Sequence, residues 1–394
     1  MKPRAGIRLS EAQRLDWLRL ARSEGIGPRT FHGLINRFGG ARAALEALPD
    51  LAAARGRRVT LCSPQEAERE FEDARRLGAR LLASGEEDYP ARLLEIPGPP
   101  PILSVRGRVG LLEAPSVGLV GARNASASGR KIAARIAECL GRAGYAVVSG
   151  LARGIDAEAH HASLVSGTIA VLAGGLDKPY PPENRALYDE IAEKGIAVSE
   201  MPFGLSPRGR DFPRRNRLIS GLSLGIVVIE AARRSGSLIT ARLANEQGRE
   251  VFAVPGSPLD PRCEGSNDLL REGATIVTSA EDILNVLAPL AGEAGRLPML
   301  FREPEPAQPD AFFDELDGDA VARDTVTEED DPPMPSDLAE RVLGLLSVDP
   351  VEIDLIVRQA GANPREVQAA LMEIELGGLL ARLPGNRVAR KIER

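Results

Sequence analysis

The sequence predicts an α/β protein built on a mainly parallel sheet, with a smaller helical module on either side. Three observations predict it. Between residues 115 and 287, seven short apolar runs alternate with amphipathic helical segments. Most of these runs end in a turn of glycine, hydroxyl residues or arginine. Helical periodicity also continues on both sides of this region, and at the C-terminal side it closes in a hairpin pattern.

The strands are expected at Val117–Val120, Ala146–Ser149, Ile169–Leu172, Ile196–Ser199, Gly225–Ile229, Val251–Val254 and Thr275–Val277. Helices such as Gly129–Ala143 and Pro182–Lys194 fill the gaps. Apolar runs without alternation are what strands buried on both faces require, so the sheet is parallel and covered by helices on each side. This is an extended Rossmann-like arrangement, expected over 86–290. Ahead of it, 1–85 reads as a small helical domain of the SAM or helix-hairpin-helix kind. Leu15, Leu18, Leu20, Phe31, Leu34, Ile35 and Phe38 give its helical spacing. The intervening Gly25-Ile26-Gly27-Pro28 is open to two readings, a phosphate-facing hairpin turn or an ordinary turn in an interaction module. Residues 61–114 look transitional, with breakers at Pro90 and Pro97–Pro101 and an extended run from Pro101 to Gly107. Residues 291–336 read as an acidic disordered linker. Residues 337–394 read as a winged helix: three helices at Leu338–Leu346, Ile353–Ala360 and Pro364–Leu376, then a hairpin turning at Pro384-Gly385-Asn386.

The formal net charge of −6 at first argues against a nucleic-acid ligand. Its distribution reverses that. From Phe301 to Pro335 twelve acidic residues oppose two arginines, a local −10, which leaves +4 on the rest of the chain. No apolar run has the length of a membrane span, and Met1–Ser10 has no apolar stretch of the secretory kind. Cys62, Cys139 and Cys263 lie far apart without CxxC spacing, which points to neither a zinc site nor disulfides and fits a cytoplasmic protein. No motif calls for a cofactor.

In an open parallel sheet, ligands bind at the carboxyl ends of the strands. The first strand runs into Gly121-Ala122-Arg123-Asn124-Ala125-Ser126-Ala127-Ser128-Gly129. Small residues let the backbone approach a ligand, and the next helix offers unsatisfied N–H groups and a positive dipole end. Arg123 adds a two-pronged phosphate donor, and Ser126 adds a hydroxyl. The second strand leads to Ser149-Gly150-Leu151-Ala152-Arg153-Gly154, again an arginine on a small-residue loop before a helix. Asp156 suits a cap, and His160 lacks a paired nucleophile. After the third strand, Gly174-Gly175 permits close approach, and Tyr180 can either stack on a base or close the pocket. After the fourth comes Pro207–Arg217, where Arg208, Arg210, Arg214, Arg215 and Arg217 surround Phe212. Arginines track a phosphate backbone and an aromatic ring stacks on a base, so this stretch fits a polyanion better than one phosphate. Ser235-Gly236-Ser237 and Pro255-Gly256-Ser257 end the fifth and sixth strands.

Taken together, Val120–Arg123, Ser149–His160, Gly167–Leu172, Tyr180–Asn184, Phe212–Leu218, Ser235–Ala241 and Phe252–Gly256 resemble the bacterial DNA-processing protein A family (DprA, also called Smf). They occur in a fixed order over about two hundred residues. The resemblance implies a non-enzymatic, single-stranded DNA-binding protein that protects incoming DNA, helps load the RecA recombinase in natural transformation, and works as a homodimer. It implies that Arg123 contacts phosphate and Phe212 stacks on a base, with Gly121, Ser126, Ser149, Arg153, Gly154, Arg215 and Ser237 lining the same pocket; the basic stretch adds Arg208 and Arg210. The flanking modules are open to duplex DNA, protein or neither. The alternative is a nucleotide-binding enzyme of the phosphoribohydrolase type, but the PGGxGTxxE signature is absent; a third is a small-nucleotide sensor. The third helix of the winged module carries Glu366, Glu373 and Glu375 beside Arg365, so it is not expected to read duplex sequence.

Overall fold

The computed structural model describes residues 7–54, 56, 58–293 and 337–391. The expected acidic linker therefore lies almost wholly outside the described residues. Four helices open the chain: α1 (Glu11–Arg22), α2 (Pro28–Phe38), α3 (Ala41–Ala53) and α4 (Pro64–Leu77). Capping boxes at Ser10/Gln13 and Ser63/Glu66 start α1 and α4 by satisfying N–H groups the helix cannot. Trp17, Leu18, Leu20, Phe31, Leu34 and Leu48 form a core that runs on into Leu172, Leu187 and Tyr188, so this module is packed on the sheet domain. Its glycine turn faces inward as well. Pro28 and Arg29 sit against Gly98, and His32 Nε2 lies 3.0 Å from the Pro99 carbonyl.

The central sheet has nine strands: β1 (Arg80–Ala83), β2 (Ile102–Gly107), β3 (Ser116–Gly121), β4 (Ala146–Ser149), β5 (Thr168–Val171), β6 (Ile196–Ser199), β7 (Gly225–Ile229), β8 (Glu250–Ala253) and β9 (Thr275–Ile276). Their order is β1-β2-β6-β5-β4-β3-β7-β8-β9. The stretch from β6 to β9 is parallel throughout, while β2 pairs antiparallel with β6 and β1 antiparallel with β2. The sheet thus begins at Arg80, inside the stretch expected to be the N-terminal helical domain, and α4 fills a region that looked transitional. Helices α5 (Ala127–Arg142), α6 (Ile155–Ser163), α7 (Arg185–Lys194), α8 (Asp211–Leu222), α9 (Gly236–Glu246), α10 (Glu264–Arg271) and α11 (Ala280–Glu293) cover both faces. From β3 the chain proceeds outward through β4, β5 and β6, then α8 brings it back to β7 on the other side of β3. That reversal opens a crevice at the carboxyl ends of β3 and β7.

The C-terminal module is a winged helix of α12 (Leu338–Leu345), β10 (Val351–Glu352), α13 (Ile353–Ala360), α14 (Pro364–Leu376), β11 (Leu380–Leu383) and β12 (Arg387–Arg390), with strand order β10-β12-β11. Val342, Ile356, Val367, Leu371 and Val388 make its core, and Ala127 at the start of α5 joins them. A clasp holds the module to the sheet domain. Arg262, gripped by Asp260 at 2.8 Å, donates to the carbonyls of Gly344 (3.0 Å) and Leu346 (2.8 Å).

Candidate nucleic-acid interface

The loops after β3 and β4 are laced together backbone to backbone. Gly121 ends β3 where the Ile229 carbonyl would stand 1.9 Å from a Cβ, so any side chain there would force β3 and β7 apart. Gly154 has φ +71°, and a Cβ would lie 2.2 Å from the Ala122 carbonyl. Ile155 N–H then donates to that same carbonyl at 3.2 Å. Arg123 and Arg153 stand on these two loops, both half-buried.

The first helix start is already occupied. Glu230 follows β7 with φ +51° and is 8% exposed. Its carboxylate accepts the Ser126 backbone N–H at 2.8 Å and the Ser126 hydroxyl, whose oxygen in turn accepts the Gly129 N–H at 3.0 Å. A helix N-terminus attracts an anion, and here the chain supplies its own. Ser126 is fully buried in this arrangement, so it holds the loop rather than facing a ligand.

Three more residues expected to touch the ligand, Ser149, Arg215 and Ser237, are buried. Ser149 is fully buried and donates its hydroxyl to the Leu119 carbonyl at 2.7 Å. Arg215 is 5% exposed and donates to the carbonyls of Gly150 and Val171. It is a strut between loops, and its charge opposes the burial that raises the Asp156 carboxyl above the usual carboxylate range. Asp156 accepts the N–H groups of Gly150 (3.0 Å) and Ala152 (3.4 Å), bracing the 149–154 loop from inside. Asn184 donates to the carbonyls of Leu151 (2.8 Å) and Ala152 (3.1 Å), tying the loop after β5 to the loop after β4. Ser237 is buried at the start of α9, where its hydroxyl pairs with that of Ser235 at 2.7 Å. His160 is a core residue: Nδ1 lies 2.7 Å from the Thr168 hydroxyl, and burial pushes its pKa down to about 3.

Cationic and aromatic residues also reach solvent on this rim, beside the exposed Asn124 and Glu183. Arg208 and Arg210 are exposed just ahead of α8, whose start is pinned by Asp211 accepting the Arg208 N–H at 2.8 Å. Phe212 sits in the first turn of α8, half-buried. The guanidinium carbon of Arg123 lies 5.5 Å from its ring centre and that of Arg215 lies 5.9 Å away. The Tyr180 ring meets it edge-on, 5.7 Å between centres at 63°. Arg214 and Arg217 turn to the buried Glu200 instead, and Arg217 also donates to the Gly98 carbonyl at 2.8 Å. The expected five-arginine cluster is thus divided. Arg208 and Arg210 face outward, Arg214 is exposed while paired with Glu200, and Arg215 and Arg217 carry internal bonds.

A family model described as DNA recombination-mediator protein A matches residues 80–288. The chain belongs to this family. The flanking modules match too: a DprA-like N-terminal HHH domain at 11–73 and a DprA winged helix domain at 326–386. Protein Smf of Synechocystis sp. is 37% identical over 335 residues, covering 82% of each chain. Protein Smf of Escherichia coli is 40% identical over 311 residues, covering 78% of this chain and 76% of its own. Among solved structures, DNA processing protein A from Streptococcus pneumoniae superposes with a TM-score of 0.59 at 35% identity, covering 71% of this chain and 98% of that one. The Helicobacter pylori DNA processing protein A, described for its single-stranded DNA binding mode, gives 0.50 at 29% identity over 54% and 96%.

For a DprA-family chain, the features the sequence did not disclose are internal. Glu230 gives no signal in sequence, because its partner Ser126 lies 104 positions away. Arg215 did carry a signal. With Ile219 and Leu222 it falls on the buried face of α8, at helical spacing. On the winged helix, α14 exposes Arg365 and Gln368 alongside Glu366, Met372, Glu373 and Leu376.

Proposed function

We propose that this chain is a single-stranded DNA-binding recombination mediator of the DprA kind. It takes the strand across the carboxyl rim of its sheet, protects incoming DNA and helps load RecA during transformation, as a cytoplasmic homodimer. One observation carries the reading: Arg123, Phe212, Tyr180, Arg208 and Arg210 together offer a cationic and aromatic rim. Family membership and the single-stranded DNA binding described for the Helicobacter pylori relative support it. Arg123, Arg153, Arg208 and Arg210 supply charge to the phosphates. Gly121, Gly154 and the buried Ser126, Ser149, Arg215 and Ser237 set the loops that present them. RecA and the dimer are inherited from the family resemblance.

The nucleotide-enzyme alternative loses ground for two reasons. The seat where such a fold holds a nucleotide phosphate is filled by Glu230, and the one histidine in the 149–160 motif is buried and neutral. Among the described residues no helix is long and apolar enough to cross a membrane, and no cluster of metal-ligating side chains occurs.

The test is a titration of labelled single- and double-stranded oligonucleotides of graded length at two salt concentrations. Single strands should bind more tightly, gain affinity well beyond two nucleotides, and weaken with salt as counterions are released. Replacing both Arg208 and Arg210 by Ala should lower the salt slope by about 1.4, near 0.7 for each single-strand phosphate contact. Saturation by a mononucleotide, or binding indifferent to salt, would refute the reading.

A further inference from the structure

The exposed Arg208 and Arg210 stand on a loop that the chain holds at several points. The loop leaves β6 before Glu200 and becomes helix again at Asp211. Its middle lies on the diglycine after β5. Gly175 N–H donates to the Leu205 carbonyl at 2.9 Å, and a Cβ on Gly174 would stand 2.7 Å from that same carbonyl and 2.7 Å from the Pro207 ring. Asp177 accepts the Gly204 N–H at 2.8 Å. The close approach that Gly174-Gly175 permits is therefore made by this loop.

Glu200 ties the two ends together. Its side chain is only 4% exposed. Its carboxylate accepts from Arg214 Nε at 3.1 Å and from Arg217, residues of the first and second turns of α8. Its backbone carbonyl accepts from Arg22 of the N-terminal module at 3.0 Å, and Arg22 is itself held by Glu70 at 2.8 Å. A carboxylate taken this far out of water must be matched by cations, and both cations come from the helix that follows the loop. The pairing fixes where α8 begins relative to β6, and so fixes the span the loop has to bridge.

We propose that Glu200 is a positioning residue of the strand-binding rim. By joining the end of β6 to α8 it holds the 201–210 loop in the shape that presents Arg208 and Arg210 to phosphates. It touches no strand itself. A loop already in its bound shape loses less freedom on binding, so affinity rises without a new contact. The role rests on the single-strand reading above.

The experiment uses the full chain and a fluorescein-labelled oligo-dT strand. Charge alone predicts that Glu200→Ala tightens binding, because an anion is removed beside a polyanion site and two arginines lose their counter-charge. Positioning predicts the reverse. Glu200→Ala should weaken binding about tenfold and lower the salt slope by about 1, toward the value of the variant with both Arg208 and Arg210 replaced by Ala. In that arginine-free background, adding Glu200→Ala should change affinity by no more than about twofold, because the residues it serves are already gone. Glu200→Gln keeps the length and one acceptor, and takes the place of Glu200→Ala if circular dichroism shows that variant unfolded. Affinity equal to or above the parent's would overturn the role and leave Glu200 a counter-charge only. A full additional loss in the arginine-free background would overturn it too, because it marks general damage to the fold. If the parent binds no single strand, or the arginine pair proves dispensable, the functional reading falls and takes the positioning role with it.

Discussion

Removing the carboxylate that fills the start of α5 should unsettle the rim more than any exposed substitution. Glu230 accepts two hydrogen bonds from Ser126, one from the backbone at 2.8 Å and one from the hydroxyl, in a nearly closed site. Hydrogen bonds to a charged group contribute about 1.5–3 kcal/mol each, and the helix dipole adds up to about 2 kcal/mol in a partly buried geometry. The carboxylate's own desolvation cost offsets part of that sum. Glu230→Ala should therefore lose about 3 kcal/mol, a fall in Tm of roughly 6–12 °C at 2–4 °C per kcal/mol. Glu230→Gln keeps an acceptor without the charge and should fall between. The assay is urea unfolding followed by circular dichroism at neutral pH, with and without inorganic phosphate. Phosphate should restore part of the stability of Glu230→Ala by occupying the vacated helix start, and should do nothing for the parent. A loss under about 1 kcal/mol, with no phosphate rescue, would refute the idea that this carboxylate is the helix's anion.

Three further outcomes follow from the same structure. His160 has a folded pKa of about 3 against 6.5 for the ordinary side chain, so the unfolded chain takes up a proton that the folded chain refuses. Stability from this group is complete above about pH 6.5 and is lost as pH falls toward 3, roughly 2 kcal/mol between pH 7 and pH 5; urea unfolding at the two pH values, with His160→Gln as reference, should show the difference. Arg262→Ala removes the donor to Gly344 and Leu346, and hydrogen exchange around 342–347 should quicken while the sheet domain keeps its protection. An isolated 337–394 fragment should show no sequence-selective binding to duplex DNA in gel-shift competition, since α14 offers Glu366, Glu373, Met372 and Leu376 to solvent.

The parallel part of the sheet was legible almost to the residue because both its faces are buried. A run such as Gly225–Ile229 carries its whole environment in its composition. The segments that escaped notice bury less telling residues. Helix α4 turns Ala67 and Ala74 inward with Phe71 and Leu77 beside them, but Glu70, paired to Arg22 at 2.8 Å, interrupts that stripe, and two of its members are only alanines. Strand β1 is only Arg-Leu-Leu-Ala and pairs at the sheet's edge. At the rim, glycine positions such as Gly154 could be read because their backbone geometry excludes other residues. The direction of a serine could not be read that way. Ser126 and Ser149 are polar, lie in glycine-rich loops, and are spent on one carboxylate and one internal carbonyl.

The clasp at Arg262 bears on how the winged module behaves in solution. Two hydrogen bonds from Arg262 to Gly344 and Leu346, one from Gln359 to the Ala127 carbonyl at 3.5 Å, and the packing of Ala127 join the module to the sheet domain. Between separate molecules this junction would not survive the loss of at least about 4 kcal/mol of translational and rotational freedom on association. Within one chain the partner is always near, and at an effective concentration on the order of millimolar, contacts worth about 4 kcal/mol would be enough to keep a module docked half the time. Near that value a competitor for the Gly344 and Leu346 carbonyls would shift the docked fraction by mass action.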